Sequence, residues 1–232
     1  MWKIKANNNE GEIYVYGEIG NYINDDKYDA AAFRNQIEGL GSVNKLNIYI
    51  NSPGGDVFDA TAMLAILARH KAFKHVYIDG LAASAASILA MAGDKITIAQ
   101  GGMMMIHSAS SFIYGNANEL REMISLLEKA DESMAGIYAQ RTQIPKEKIA
   151  EMMKAETWLS ANEALSQGFA DEISEKQVKM VACAKGIIMN DQYVSEKYAK
   201  KIQNKLNNSI TATEIDELCQ IKASIEKMRR NK

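Results

Sequence analysis

Three short stretches of this chain carry the residue types that acyl transfer needs. The run Gly80-Leu81-Ala82-Ala83-Ser84-Ala85-Ala86-Ser87 puts a serine hydroxyl where a short apolar strand, His75 to Asp79, gives way to an apolar helix, Ser84 to Ala92. The neighbours of Ser84 are too small to shield it, and the unpaired amides of a helix start favour developing negative charge. Ser84 is therefore a candidate nucleophile, although a Ser/Ala-rich helix start is, by itself, more often a close-packing device. Upstream, Asn51-Ser52-Pro53-Gly54-Gly55 ends another strand. Paired glycines let the backbone present an amide with no side chain in the way, which an oxyanion site requires and an ordinary turn also uses. His107 follows the apolar strand Met103 to Ile106, and imidazole takes and returns a proton near neutral pH. The other histidines, His70 and His75, flank the Lys71 to Lys74 connection and read as solvent-facing polar residues. Met103, Met104, Met105 and Phe112 offer an apolar lining for a substrate pocket, a pattern that more often marks core.

The elements that must position these groups alternate. Glu12 to Glu18 reads as a strand, Asp29 to Glu38 as a helix stopped by Gly39 and Gly41, Leu46 to Ile50 as a strand and Val57 to Arg69 as a helix. Val76 to Ile78, Lys95 to Ile98 and Met103 to Ile106 follow as strands, with the helix from Ser84 between the first two. This order implies an α/β core with parallel strands and right-handed crossovers, whose chemistry sits at strand ends and helix starts. Asn116 to about Gln143 forms one long helix opened by Asn116 and Glu119, longer than a small core needs. Pro145 starts a short helix over Lys146 to Lys154, and Ser160 with Glu163 caps another over Ala161 to Gln167 that Gly168 ends.

Charge is unevenly spread. The formal net charge is −2, yet residues 1–174 carry 15 Lys/Arg against 22 Asp/Glu and residues 175–232 carry 12 against 7. We read residues 1–174 as one catalytic domain and 175–232 as a basic extension, partly disordered or with polar helices over Asp191 to Leu206 and Glu214 to Arg230. A near-neutral balance argues against nucleic acid as a partner. Cys183 and Cys219 have neither metal-ligand nor disulfide spacing, so no metal, no cofactor and a reducing, cytoplasmic setting are expected. The N-terminus lacks the apolar segment of a signal peptide, and Leu81 to Ala92 is too short to span a bilayer, so no membrane association is expected.

NSPGG, GLAAS, a strand ending in Ile106-His107 and Trp158-Leu159-Ser160-Ala161 leading into Gly168-Phe169-Ala170-Asp171 occur in one order over Ile13 to Ile173. Together they resemble the Clp protease proteolytic subunit family, and the versions GxAASAAS, MIH and ETWLS resemble its phage branch, the Clp-related head maturation proteases. The resemblance implies a Clp protease/crotonase-like fold with a projecting handle helix. It makes Ser84 the nucleophile, His107 the general base, and the amides of Gly55 and Ala85 the oxyanion donors. Its third catalytic position falls on Glu156, where the family has aspartate; Asp171 and Asp131 remain alternatives for orienting His107.

The same resemblance implies self-assembly into rings of about seven, single or doubled. It implies polypeptide substrates, with phage scaffold or capsid protein the expected ones in a bacterial host cytoplasm. The start of the chain about a dozen residues before its first expected strand makes dependence on an ATPase unfoldase doubtful. Alternatives are a housekeeping-type Clp proteolytic subunit working with an unfoldase, a catalytically silent ring-forming assembly protein, and a crotonase-type acyl-CoA enzyme, which needs no Ser/His pair.

Overall fold

The computed structural model describes residues 3–7, 9–20 and 29–174. The expected helices Asp191 to Leu206 and Glu214 to Arg230, both cysteines and the rest of the extension lie outside the described residues.

The described elements run β1 (Lys3–Asn7), β2 (Glu10–Tyr16), α1 (Ala30–Gly39), β3 (Lys45–Ser52), α2 (Val57–Arg69), β4 (Phe73–Ala83), α3 (Ala85–Ala90), β5 (Lys95–Ala99), β6 (Met103–Ile106), α4 (Ala117–Thr142), α5 (Lys146–Lys154), β7 (Thr157–Ser160), α6 (Ala161–Ser166) and β8 (Glu172–Ser174). The sheet order is β1-β2-β3-β4-β5-β8, and β6 joins through β4 and carries β7. Pairing is parallel as expected from the alternating pattern, except for the β1–β2 and β6–β7 pairs, which are antiparallel.

Hydrophobic periodicity accounts for the core. In β2 the buried positions alternate, so Ile13 and Val15 point one way and Tyr14 and Tyr16 the other. Ile48, Ile50, Val76, Ile78, Ile96 and Ile98 extend that inner face, and α1 adds Phe33 and Ile37 while α2 adds Ala60, Met63 and Leu67. Each fully buried side chain of this size contributes about 1.5–3 kcal/mol relative to exposure. On the other face Tyr14, Tyr49 and Tyr77 stack across three strands, with centroids 4.7 and 5.0 Å apart. Helix starts follow their capping residues: Asp29 opens α1, Asp56 opens α2, and Asn116–Glu119 and Ser160–Glu163 form complete capping boxes on α4 and α6.

Strand β4 is longer than its apolar run, and the extra length matters for the site. Gly80-Leu81-Ala82-Ala83 has weak strand propensity, yet β4 runs through it to the residue before Ser84. Its first half pairs with β5 and its last three residues with β6, while Ala82 also pairs with Ser52 of β3. Cross-strand pairing on both edges overrides local propensity. The result is a fork in which β3, β4 and β6 end side by side, with Ser52, Ala82 and Met104 in register. Sequence periodicity also leaves β1 unmarked, as it does β7 and β8; β1 makes a hairpin with β2 and places the first strand at Lys3.

Candidate active site

Ser84, Gly54–Gly55 and His107 all lie just past the C-terminal ends of the three neighbouring parallel strands, where open α/β sheets place their chemistry. Ser84 sits between β4 and α3 with φ 54° and ψ −128°, a conformation that costs a non-glycine residue about 1–3 kcal/mol. Its amide donates to Met105 O on β6 at 2.9 Å, and α3 begins one residue later. The strained turn lifts the side chain away from its own helix, and Ser84 makes no side-chain cap. Instead Ser84 Oγ lies 2.7 Å from His107 Nε2. With the imidazole neutral and its proton on Nδ1, the hydroxyl donates to Nε2, which is the arrangement for general-base activation.

The glycines are required by close approach. Gly54 has φ +95°, and a Cβ there would lie 2.6 Å from Ala83 O, 2.7 Å from Ser84 Cβ and 2.9 Å from Ala85 N. Gly55 has φ +146°, and its Cβ would fall 2.0 Å from Ile19 O. Ser52 holds this loop by donating its hydroxyl to Gly17 O at 2.5 Å and accepting from Gly54 N at 3.1 Å. Ile19 N donates to Gly54 O at 2.8 Å and Asp56 N donates to Ile19 O at 2.9 Å. Among the described residues this leaves the Gly55 N–H without a backbone acceptor. Ala85 is the first residue of α3, so its amide has no carbonyl one turn back within the helix. Ser52 and Ile19 are parts of the site that the sequence reading did not single out. Ser52 lies inside the motif already noted, whereas nothing local marks Ile19, which arrives through a bridge to Gly55.

Burial lowers the His107 pKa below the ordinary histidine value, and the negative charges of Glu156 and then Asp131 pull it back up. The strand register explains the first carboxylate. Ile106 pairs with Thr157 as the last pair of the antiparallel β6–β7 ladder, so His107 and Glu156 directly adjoin the same end of it. Glu156 has φ 49°, and its Oε1 accepts from Trp158 Nε1 at 3.2 Å. Asp131 on α4 accepts from Ala109 N at 2.6 Å, anchoring the chain just past His107. Among the described residues no group hydrogen-bonds His107 Nδ1.

Asp171 is elsewhere. It accepts from Ile96 N at 2.7 Å and pairs with Arg141, tying β5 to the end of α4. We expect Asp171→Ala to lower stability by about 1.5–3 kcal/mol, the range for a charged hydrogen bond. Thermal unfolding would read this as a drop of several degrees, with the acid limb of the pH–rate profile unmoved.

The other histidines are partly exposed and hydrogen-bonded to their own surroundings, away from Ser84. His70 accepts from Ala72 N at 3.1 Å, and His75 bridges Tyr77 OH and Thr97 Oγ1 at 2.8 Å each. Of the apolar candidates for a pocket lining, Met104 and Met105 are core, whereas Met103 lies at the surface and Phe112 is 88% exposed. Among the described residues no cluster of three or more His, Cys, Asp or Glu is placed to hold a metal, and no helix is long and apolar enough to cross a membrane.

The family model for the Clp protease matches residues 6–177. The chain belongs to the Clp protease family. An ATP-dependent Clp protease proteolytic subunit of Deinococcus radiodurans is 31% identical over 134 residues, covering 57% of this chain and 66% of the relative. Proteolytic subunit 2 of Treponema denticola is 31% identical over 145 residues, covering 61% and 72%. A counterpart from Gossypium hirsutum is 30% identical over 152 residues, covering 61% and 78%. The chain thus spans about two thirds to four fifths of the length of these relatives. Among solved structures, a point mutant of ClpP1 from Listeria monocytogenes superposes with a TM-score of 0.62 at 25% identity, covering 72% of this chain and 92% of that one. The chain has the Clp protease fold, and its family is one of serine-type endopeptidases.

Proposed function

We propose that this Clp-family chain is a proteolytic subunit that hydrolyses peptide bonds through an acyl-enzyme on Ser84. The observation that carries the proposal is the 2.7 Å contact between Ser84 Oγ and a half-buried His107 whose pKa favours the neutral, proton-accepting form. His107 takes the hydroxyl proton as Ser84 Oγ attacks the scissile carbonyl carbon, and the Gly55 and Ala85 amides receive the oxyanion. The protonated imidazole then gives its proton to the leaving amine, and water repeats the sequence to free the acid. Glu156 is the member that stabilises the imidazolium, with Asp131 as a second, weaker source of negative potential. The crotonase-type alternative would have no use for the Ser84–His107 contact. Treatment with a fluorophosphonate should leave one phosphonyl adduct on Ser84, read by mass spectrometry; an unlabelled native protein would overturn the proposal.

The acid limb of the pH–rate profile supplies a second test. Activity needs neutral His107, so it should fall as pH drops through a pKa below the ordinary histidine value. Glu156 raises that pKa, so Glu156→Gln should move the limb to still lower pH and depress the plateau. A limb that stays put in Glu156→Gln but moves in Asp131→Asn would transfer the role to Asp131.

The relatives are named as proteolytic subunits of ATP-dependent Clp proteases, which favours the housekeeping type over phage head maturation, a reading that rests on the resemblance of the GxAASAAS, MIH and ETWLS motifs alone. Degradation of a folded substrate should then need an added ATPase unfoldase, while short peptides are cut without one. Self-assembly into rings fits α4: it spans 26 residues, its buried side chains begin only at Met134, and Leu120, Ile124 and Leu126 are exposed on its first half. A monomer by light scattering at micromolar concentration would remove the ring reading.

A further inference from the structure

The nucleophile's own carbonyl is held by a buried pair of hydroxyls that the mechanism above does not use. Ser84 O accepts from Ser87 N at 2.9 Å and from Ser87 Oγ at 2.6 Å. Ser87 Oγ in turn lies 2.7 Å from the hydroxyl of Tyr138 on α4, 51 residues further along the chain. Ser87 is fully buried and Tyr138 is 1% exposed. The direction of the chain follows from proton counting. A carbonyl only accepts, so the single Ser87 hydroxyl proton goes to Ser84 O, and Tyr138 must donate to Ser87 Oγ. Burial raises the Tyr138 pKa, keeping that proton in place.

A peptide unit is planar and trans, so its C=O and N–H point in opposite directions. Fixing Ser84 O from one side therefore fixes the direction of the Ala85 N–H on the other. The Ala85 amide nitrogen lies close enough to Gly54 that a Cβ there would come within 2.9 Å of it. Beside the main-chain bond from Ser87 N, the hydroxyl pair of Ser87 and Tyr138 braces this plane at φ 54° and ψ −128°, where a serine does not rest unaided. We infer that Tyr138, acting through Ser87, is a positioning residue that aims the Ala85 amide at the oxyanion, so that α4 sets the alignment of the oxyanion site.

This inference rests on the reading of Ala85 as an oxyanion donor. Its test uses the full-length chain, a fluorogenic peptide and a peptide aldehyde, which forms a tetrahedral adduct with an activated serine. Tyr138→Phe should lower kcat about tenfold with KM within about twofold of wild type, and should weaken aldehyde inhibition by the same factor. Ser87→Ala should do likewise. The double variant should lose no more than either single one, because both act through the same bond. A merely structural role would lower the melting temperature without linking kcat to aldehyde affinity. Should Tyr138→Phe fail to fold, Ser87→Ala with its smaller change carries the same two readouts. Wild-type kcat in both variants, multiplicative losses, or a kcat loss with unchanged aldehyde affinity would each overturn the inference while leaving the peptidase reading intact. A wild-type protein that neither cuts peptides nor binds the aldehyde would overturn both.

Discussion

Ser84→Ala should abolish peptide hydrolysis, with kcat falling on the order of 10⁶-fold, as when the serine is removed from a catalytic set that works as a unit. The variant should fold as wild type. The Ser84 side chain caps nothing, its one hydrogen bond among the described residues is to His107, and alanine matches its small neighbours Ala82 and Ala83 at the end of β4 and Ala85 and Ala86 at the start of α3. The strained backbone is held by main-chain bonds, Ser84 N to Met105 O and Ser87 N to Ser84 O, both of which survive. An unchanged melting temperature and an unchanged particle size, with no fluorophosphonate adduct, are the expected companions. Retention of even a few per cent of turnover in a preparation free of wild-type enzyme would mean that another group attacks the carbonyl. Loss of His107 should cost a comparable factor, since the serine hydroxyl is a weak nucleophile without its base.

How much of this was legible beforehand depends on whether the determining contacts are local. Helices α2 and α5 have the boundaries the hydrophobic spacing and flanking residues predict, and β6 fills its expected range. Asp56, Asn116 and Ser160 act within four residues of themselves, so capping is readable from one strand of text. The last third of β4 was not, because Gly80-Leu81-Ala82-Ala83 becomes a strand only through partners at Ser52 and at Met103 to Met105. β7 and β8 are short and are defined by pairing with distant strands. At the site, Ser84, His107 and the two glycines could be named from residue type and place in the alternating pattern. The third position followed only from the family resemblance. Its physical basis is the β6–β7 pairing, whose last pair, Ile106 with Thr157, brings Glu156 to the same end of the ladder as His107, a relation invisible without the ladder. Tyr138 belongs to the same class: its partner is half a hundred residues away, and a tyrosine in an amphipathic helix carries no local mark of its use.

The second large effect is expected at Gly54, where no side chain takes part in chemistry. Gly54→Ala should lower kcat by about 10²–10³-fold, the loss seen when one oxyanion donor is removed, even though Ser84 and His107 are untouched. The added methyl would lie 2.6 Å from Ala83 O, 2.7 Å from Ser84 Cβ and 2.9 Å from Ala85 N, and two of these three are backbone atoms that cannot swing aside. Either the Gly54–Gly55 loop lifts away from α3, parting the two amides, or Ser84 is pushed from the imidazole. The φ of +95° adds strain of its own for an L-residue. Gly41 separates the two causes: its φ is +67°, but nothing lies within 4 Å of a Cβ there. Gly41→Ala should therefore cost about 1 kcal/mol of stability with turnover unchanged, since it meets only the conformational penalty. Equal turnover in Gly54→Ala and wild type would mean that the loop does not border the reacting carbonyl. A loss confined to Gly54→Ala, with far-ultraviolet circular dichroism preserved in both variants, would assign the catalytic loss to the close approach of that loop to the Ser84–Ala85 peptide.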